Sequence, residues 1–268
     1  MTNTNMSKLL TILSSIVFTF ALASTVQAAT TPLSSVKSGD LIRGQAFSSV
    51  YYYGADGMRY VFPNDKVFFT WYKDFSTVKW VSDADLTKIQ IGGNVTYRPG
   101  VKMLKINSDP TVYAVSKNST LRPIGSEMVA IDIYGNLWNK MIDDVPDAFF
   151  GNYQIGSKIE FPSQYSIKSE KVEVSTINED RSLVSPTIVR VTDAGYSATT
   201  IRVLSGHAIK FINDGPSLHS VTEWDRVWGS GTMQPGDTYT KYFYTKGTWM
   251  YYSTYDPKEK MMGAIIVE

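Results

Sequence analysis

The last eighteen residues read YYSTYDPKEKMMGAIIVE, 251–268, and they decide the fold. Trp249 to Tyr252 alternates as a strand, Ser253 breaks it, and Ala264 to Val267 resumes as a final strand. The excursion between them carries Ser253, Asp256 and Met261, a spacing with a precedent in metal chemistry. Working back from this loop, seven β-rich runs follow Pro186: TIVRV, TIRVL, AIKFI, HSVTEW, YTKYFY, TWMYY and GAIIV. Turn signals DAG, SGH, NDGPS, QPGD and TKG separate them, and no helical period interrupts them. Short strands at this spacing argue for an all-β sandwich over 186–268.

Further upstream the chain repeats itself. LIRG at 41–44 matches MLKI at 103–106 in apolar pattern, and VYYY at 50–53 matches VYAV at 112–115 at the same offset. Val67 answers Val129 and Tyr72 answers Tyr134, while QIG recurs at 90–92 and 154–156, so a short insertion lies in the second copy. The reading is a duplicated hairpin–helix domain over 38–160, with repeats at about 41–95 and 103–159. In the first copy VYYYGADGMRYVF turns on Gly-Ala-Asp-Gly. The helix that follows, in PNDKVFFTWYKDF, presents Val67, Phe68, Trp71, Tyr72 and Phe75 on one face. In the second, Ser126 caps and Gly135 stops the helix of GSEMVAIDIYG. Ser82 with Asp85, and Asp144 with Pro146, mark further helix starts. A hairpin and one short helix cannot bury an apolar face alone, so the copies are expected to pack together. Residues 161–185 turn polar and aperiodic and read as a linker, with a strand at KVEVST, 171–176.

Residues 1–28 read as a secretory signal: Lys8, then the uncharged run LLTILSSIVFTFALAS, then Val26 and Ala28 at the small-residue cleavage positions. The competing reading, an uncleaved anchor, is weakened by the Ser and Thr in that run. No later stretch spans a membrane. With no cysteine the chain has neither disulfides nor a thiol nucleophile, so packing with 17 Tyr, 12 Phe and 6 Trp carries stability. Removing Lys8 from 26 basic residues leaves 25 against 25 acidic, a balance that offers nothing to nucleic acid.

The C-terminal 83 residues resemble a small cupredoxin of the plastocyanin type. In that family a His follows a middle strand, and Cys-x2-His-x4-Met sits before the last strand. The resemblance places those four positions at His219, in LHSV, and at Ser253, Asp256 and Met261. It implies a Greek-key sandwich whose blue-copper site is degenerate. Such copper needs a thiolate and two imidazoles with a long axial thioether, and a serine hydroxyl does not replace a thiolate. Plainer readings stand beside the metal ones. His219 fits a core-edge histidine capped by backbone, Met261 fits packing, and Asp256 before Pro257 fits a turn. Ser253 is placed to bond a loop amide. His207 reads as a surface turn residue, and a replacement Zn²⁺ or Cu²⁺ pocket would draw on His219, Ser253, Asp256 and Glu223. The duplicated half is similar to a tandem aromatic repeat of secreted and surface proteins of bacteria, which implies location more than chemistry.

No Gly-x-Ser-x-Gly, His-Glu-x-x-His or phosphate-cradling loop is present, so no enzyme is expected. The expectation is an exported, non-catalytic, two-part protein: an α+β duplicated module followed by a cupredoxin-like sandwich without a cofactor. It binds a macromolecular or cell-envelope partner. The alternative is copper handling or electron transfer through a non-standard His/Asp/Met site.

Overall fold

The computed structural model describes residues 29–258 and 260–268. The expected signal at 1–28 lies outside them. The first half opens with β1 (Leu41–Arg43), β2 (Tyr51–Tyr53), β3 (Arg59–Val61), α1 (Asp65–Trp71), β4 (Val78–Trp80), α2 (Asp83–Lys88) and β5 (Ile91–Asn94). It continues with β6 (Met103–Ile106), β7 (Asp109–Ser116), β8 (Thr120–Pro123), α3 (Glu127–Tyr134), β9 (Ile142–Val145), α4 (Asp147–Phe150) and β10 (Gln154–Ile155). Two five-stranded sheets result, ordered β4-β1-β2-β3-β5 and β9-β6-β7-β8-β10.

Their registers coincide. Leu41 faces Tyr52 as Met103 faces Ala114, and Tyr51 faces Val61 as Tyr113 faces Pro123. The outer parallel strands agree too: Leu41 pairs with Val78 as Met103 with Ile142, and Arg59 with Ile91 as Leu121 with Ile155. The two extra residues of the second sheet fall between α3 and β9, in the turn that contains Trp138–Met141.

Local chemistry explains the helices. Asn64 and Ser126 accept the Val67 and Val129 amides as N-caps, and Ser82 caps α2 on Asp85. Gly135 ends α3 at φ +84°, a left-handed turn that a side chain would strain. Two expectations change here. Helix α1 stops at Trp71, because Tyr72 turns extended, so Phe75 reaches back from beyond the helix to stack on Phe68. Asp144 caps nothing: it lies in β9, ion-paired with Lys105 at 2.8 Å, and α4 starts from Pro146.

Residues 161–185, expected as a linker, are folded. Helices α5 (Ile167–Glu173) and α6 (Ile177–Asp180) occupy it, and no strand forms at 171–176. Ser166 caps the first helix and the Thr176–Glu179 capping box starts the second, leaving only Val174, Ser175 and Thr176 between them. Tyr165, Val174 and Ile177 are buried, and the Tyr165 hydroxyl donates to the Val115 carbonyl at 2.8 Å. Ile177 belongs to the same core as Tyr52, Tyr60, Leu104, Val115 and Leu121, drawn from both sheets.

The second half has β11 (Thr187–Thr192), β12 (Gly195–Tyr196), β13 (Thr200–Val203), β14 (His207–Asn213), β15 (Thr222–Glu223), β16 (Thr238–Phe243), β17 (Gly247–Tyr252) and β18 (Met262–Val267). Sheets β12-β11-β14-β16 and β13-β18-β17-β15 enclose one core, Val189, Val191 and Phe211 from one side meeting Ile201, Tyr251 and Ile265 from the other. This is a β-sandwich. His207 opens β14, half-buried with its Nε2 3.0 Å from the Thr187 hydroxyl, and is not a surface turn residue.

The halves meet along β16, an edge strand. The Gln90 side-chain amide bonds both the carbonyl (3.0 Å) and the amide (2.8 Å) of Thr240, one ladder step supplied by a side chain. The Tyr242 hydroxyl donates at 2.7 Å to buried Asp56, in the turn of the first hairpin, which also accepts from Tyr60. Burial, reinforced by that carboxylate, raises the Tyr60 hydroxyl well above the usual phenol range.

Candidate functional site

The loop after β17 closes on itself before β18 begins. The Ser253 amide donates to the Met261 carbonyl at 3.1 Å, and the amides of Lys260 and Met261 both reach the Pro257 carbonyl. Asp-Pro starts the turn that makes this possible. Ser253 and Met261 are thereby buried, Met261 inside the sandwich core. The Ser253 hydroxyl oxygen accepts the amides of Ser220 (3.2 Å) and Tyr255 (3.3 Å), which ties this loop to the one carrying His219.

His219 is pinned by its backbone, which exchanges two hydrogen bonds with Met233 at 3.2 and 2.8 Å. Its ring is 1% exposed. Nδ1 lies 3.0 Å from Asp256 Oδ2, and Nε2 lies 3.0 Å from Asp193 Oδ1. Each ring nitrogen thus has a carboxylate oxygen within hydrogen-bond distance. The carboxylates reach toward water, with side chains 51% exposed at Asp193 and 23% at Asp256, so each keeps part of its hydration. Gly215 lets them approach: a Cβ there would stand 3.1 Å from the His219 ring nitrogen and 3.0 Å from the Asp193 carboxylate.

All four sequence-predicted positions belong to this corner: Ser253 accepts loop amides and Met261 packs in the core, as their plainer readings expected. His219 is capped by side chains rather than backbone. Glu223 does not join it, since its carboxylate holds the Asp225 and Val227 amides at 2.8 and 3.2 Å in its own turn. Asp193 was missed. It stands in the DAG turn, where an acid before Ala-Gly has an ordinary turn role, and only the fold carries it to His219.

The residues present do not fit a type 1 copper ion. Ser253, where the resemblance would want a thiolate, is a hydroxyl already holding two amides, and Asp256, where it would want a second imidazole, is a hard carboxylate bound to His219. Among the described residues no group of three or more His, Cys, Asp or Glu side chains is arranged to hold a metal. Beside the corner opens a cleft of about 440 Å³ lined by Ser220, Arg226, Trp228, Thr232, Thr254 and Tyr255. Trp224 and Val227 stand exposed near it, and the Lys258 ammonium lies 4.2 Å from the Trp224 ring centre.

No protein-family model matches the chain, and no curated protein matches it in sequence. Its neighbours among solved structures are cupredoxins. A purple cupredoxin from Nitrosopumilus maritimus aligns at 17% identity over 31% of this chain and 99% of that one, with a TM-score of 0.29. An oxidised mutant of amicyanin aligns at 22% identity over 31% of this chain and 82% of its own, also at 0.29. A reduced Cu(I) mutant of amicyanin at pH 4 gives 23%, 31%, 82% and 0.29. Among the described residues no helix is long and apolar enough to cross a membrane.

Proposed function

We propose that the protein is an exported, non-catalytic binding protein of the cell envelope or exterior. In this reading a duplicated hairpin–helix module carries a cupredoxin-like sandwich whose copper positions have become a structural lock. The supporting observation is the His219 ring, held at both nitrogens by Asp256 and Asp193 while Ser253 accepts backbone amides. The His219 nitrogens, the Asp256 carboxylate and the Ser253 hydroxyl are each engaged by another group of the chain, and Met261 is buried in the sandwich core. The cleft beside the lock, with Trp224 and Val227 exposed, is then the contact surface of the sandwich.

One observation favours the second reading, metal handling at a His219/Asp256/Met261 set: the loop does gather these residues at one corner, and Asp193 adds a further carboxylate. Calorimetry with Cu(II) and Zn(II) on the mature protein and on His219→Ala separates the two. Heats no larger than those of His219→Ala are expected. One tight equivalent that His219→Ala abolishes would overturn the lock and install the metal reading.

A further inference from the structure

Each hairpin–helix unit builds a groove in the same place. In the first copy it holds about 320 Å³ between the approach to β2, the end of β3 and the first turn of α1, lined by Ser49, Val50, Phe62, Asn64, Phe68 and Phe75. In the second copy Thr111, Val112, Ile124, Ser126 and Ala130 stand at the equivalent positions, Trp138 joins them, and the groove holds about 590 Å³. The larger groove is within the size range of a ligand pocket.

Rings separate the grooves: Phe62, Phe68 and Phe75 line the first, and Ile124 and Ala130 replace two of them in the second, which gains Trp138. In the first, Phe68 carries Phe75 stacked on it, centroids 4.2 Å apart and planes 19° from parallel. Their counterparts in the second are Ala130, with no ring, and Leu137, whose side chain turns outward and leaves the residue 63% exposed. Met128, on the first turn of α3, is 72% exposed. Large apolar side chains left in water beside an open apolar groove mark a place of contact.

We propose that the second groove binds an aromatic side chain of a polypeptide partner, seated where the Phe68 ring and the Phe75 ring stacked on it narrow the first copy. Buried Ala130 with half-buried Val112, Ile124 and Trp138 supply apolar surface, Trp138 bringing a ring. Ser126, Glu127 and Lys158 are exposed at the rim, and half-buried Thr111 stands further in. With one acid and one base that rim has no net charge, which suits an uncharged peptide segment and offers nothing to a polyanion. A glycan would want several polar side chains converging inside the groove, and Thr111 is the half-buried hydroxyl residue the lining offers. The site rests on the reading of the chain as a binding protein and names one partner chemistry for it.

The test uses the mature chain and two acetylated, amidated pentapeptides, Gly-Gly-Phe-Gly-Gly and its Leu analogue, titrated by calorimetry with saturation-transfer NMR. The Phe peptide is expected to bind at least tenfold more tightly than the Leu peptide. Ala130→Phe, which restores the ring of the first copy, is expected to weaken it at least tenfold, as is Trp138→Ala. Should Ala130→Phe fail to fold, Trp138→Ala at its half-exposed position carries the test. Equal affinity for the two peptides, no saturation at millimolar peptide, or binding indifferent to the variants would overturn the site. Saturable binding of an N-acetylglucosamine hexamer in place of the peptide would do so as well. Self-association abolished by Trp138→Ala would reassign the groove to a second copy of the chain. A metal bound at His219 would sink the lock and leave the groove untouched, so the two failures are distinguishable.

Discussion

The two hairpin turns occupy the same register and both touch the segment 161–185, the first through its Ala55 amide on the Asn178 side chain at 3.0 Å, but only the first also reaches the sandwich. The turn of the first, Gly54 to Gly57, points Asp56 at the sandwich, where Tyr242 donates to it. The turn of the second has Asn118 and Ser119 at the equivalent places, both at positive φ, and holds the helical segment of 161–185. There the Asn118 amide donates to the Asp180 carbonyl, and the Ser182 hydroxyl to the Asn118 side chain. The first turn thus also docks the other half of the molecule, and the groove of its hairpin–helix unit is narrowed by its own phenylalanines. The second unit keeps the larger groove. Equivalent backbones diverge in use through a few side chains: Asp56 against Asn118, Phe68 against Ala130, Phe75 against Leu137.

That contrast is open to attack at several points. The largest effect is expected where the segment 161–185 enters the shared core. Ile177→Ala removes a buried side chain and should cost about 2–5 kcal/mol by chemical denaturation. A loss below about 1 kcal/mol would mean that 161–185 merely lies against the repeats. Next comes the first turn. Asp56→Ala strands the buried Tyr60 and Tyr242 hydroxyls, at about 1–3 kcal/mol for each unsatisfied group, whereas Asn118→Ala should cost about 1 kcal/mol. Equal losses would erase the distinction between the turns.

Asp180 gives an effect of opposite sign. Burial raises its carboxyl from 3.8 to about 6, with the Thr96 hydroxyl and nearby amides pulling the other way. The stability tied to its protonated form is complete below about pH 4 and is lost as pH rises through 6. Wild type should therefore weaken across that window at this residue, and Asp180→Asn should flatten the decline. At neutral pH the variant should gain up to about 3 kcal/mol, at about 1.4 kcal/mol per pH unit. A variant less stable than wild type at pH 7 would refute this. The smallest change is at the seam: Gln90→Ala gives up the ladder step to Thr240, about 1 kcal/mol. It should separate the melting of the two halves in calorimetry.

The sandwich was legible strand by strand, because half-buried strands alternate and Gly-rich turns punctuate them, as in the buried–half-buried alternation of His207–Asn213. The hairpins and helix caps of the first half were legible from Asp-Gly, Ser126 and Gly135 for the same local reasons. What failed was whatever depended on distant partners. The segment 161–185 looked like a linker because its buried residues, Tyr165, Val174 and Ile177, are few and widely spaced among exposed ones. Asp56 read as a turn residue, and nothing near it in sequence announces Tyr242. At the corner, the spacing of Ser253, Asp256 and Met261 located the loop, yet Asp193 comes from sixty residues upstream of Ser253 and closes the lock on His219.

The most direct measurement is the visible spectrum with Cu(II) of the wild type and of the double variant Ser253→Cys, Asp256→His. The substitution supplies a thiolate where two amides already converge, and frees His219 Nδ1 from its carboxylate. Wild type should show no intense band and the folded double variant should show one. An intense band in the wild type, or none in a double variant that folds, would contradict a corner that keeps its shape and holds itself closed with carboxylates.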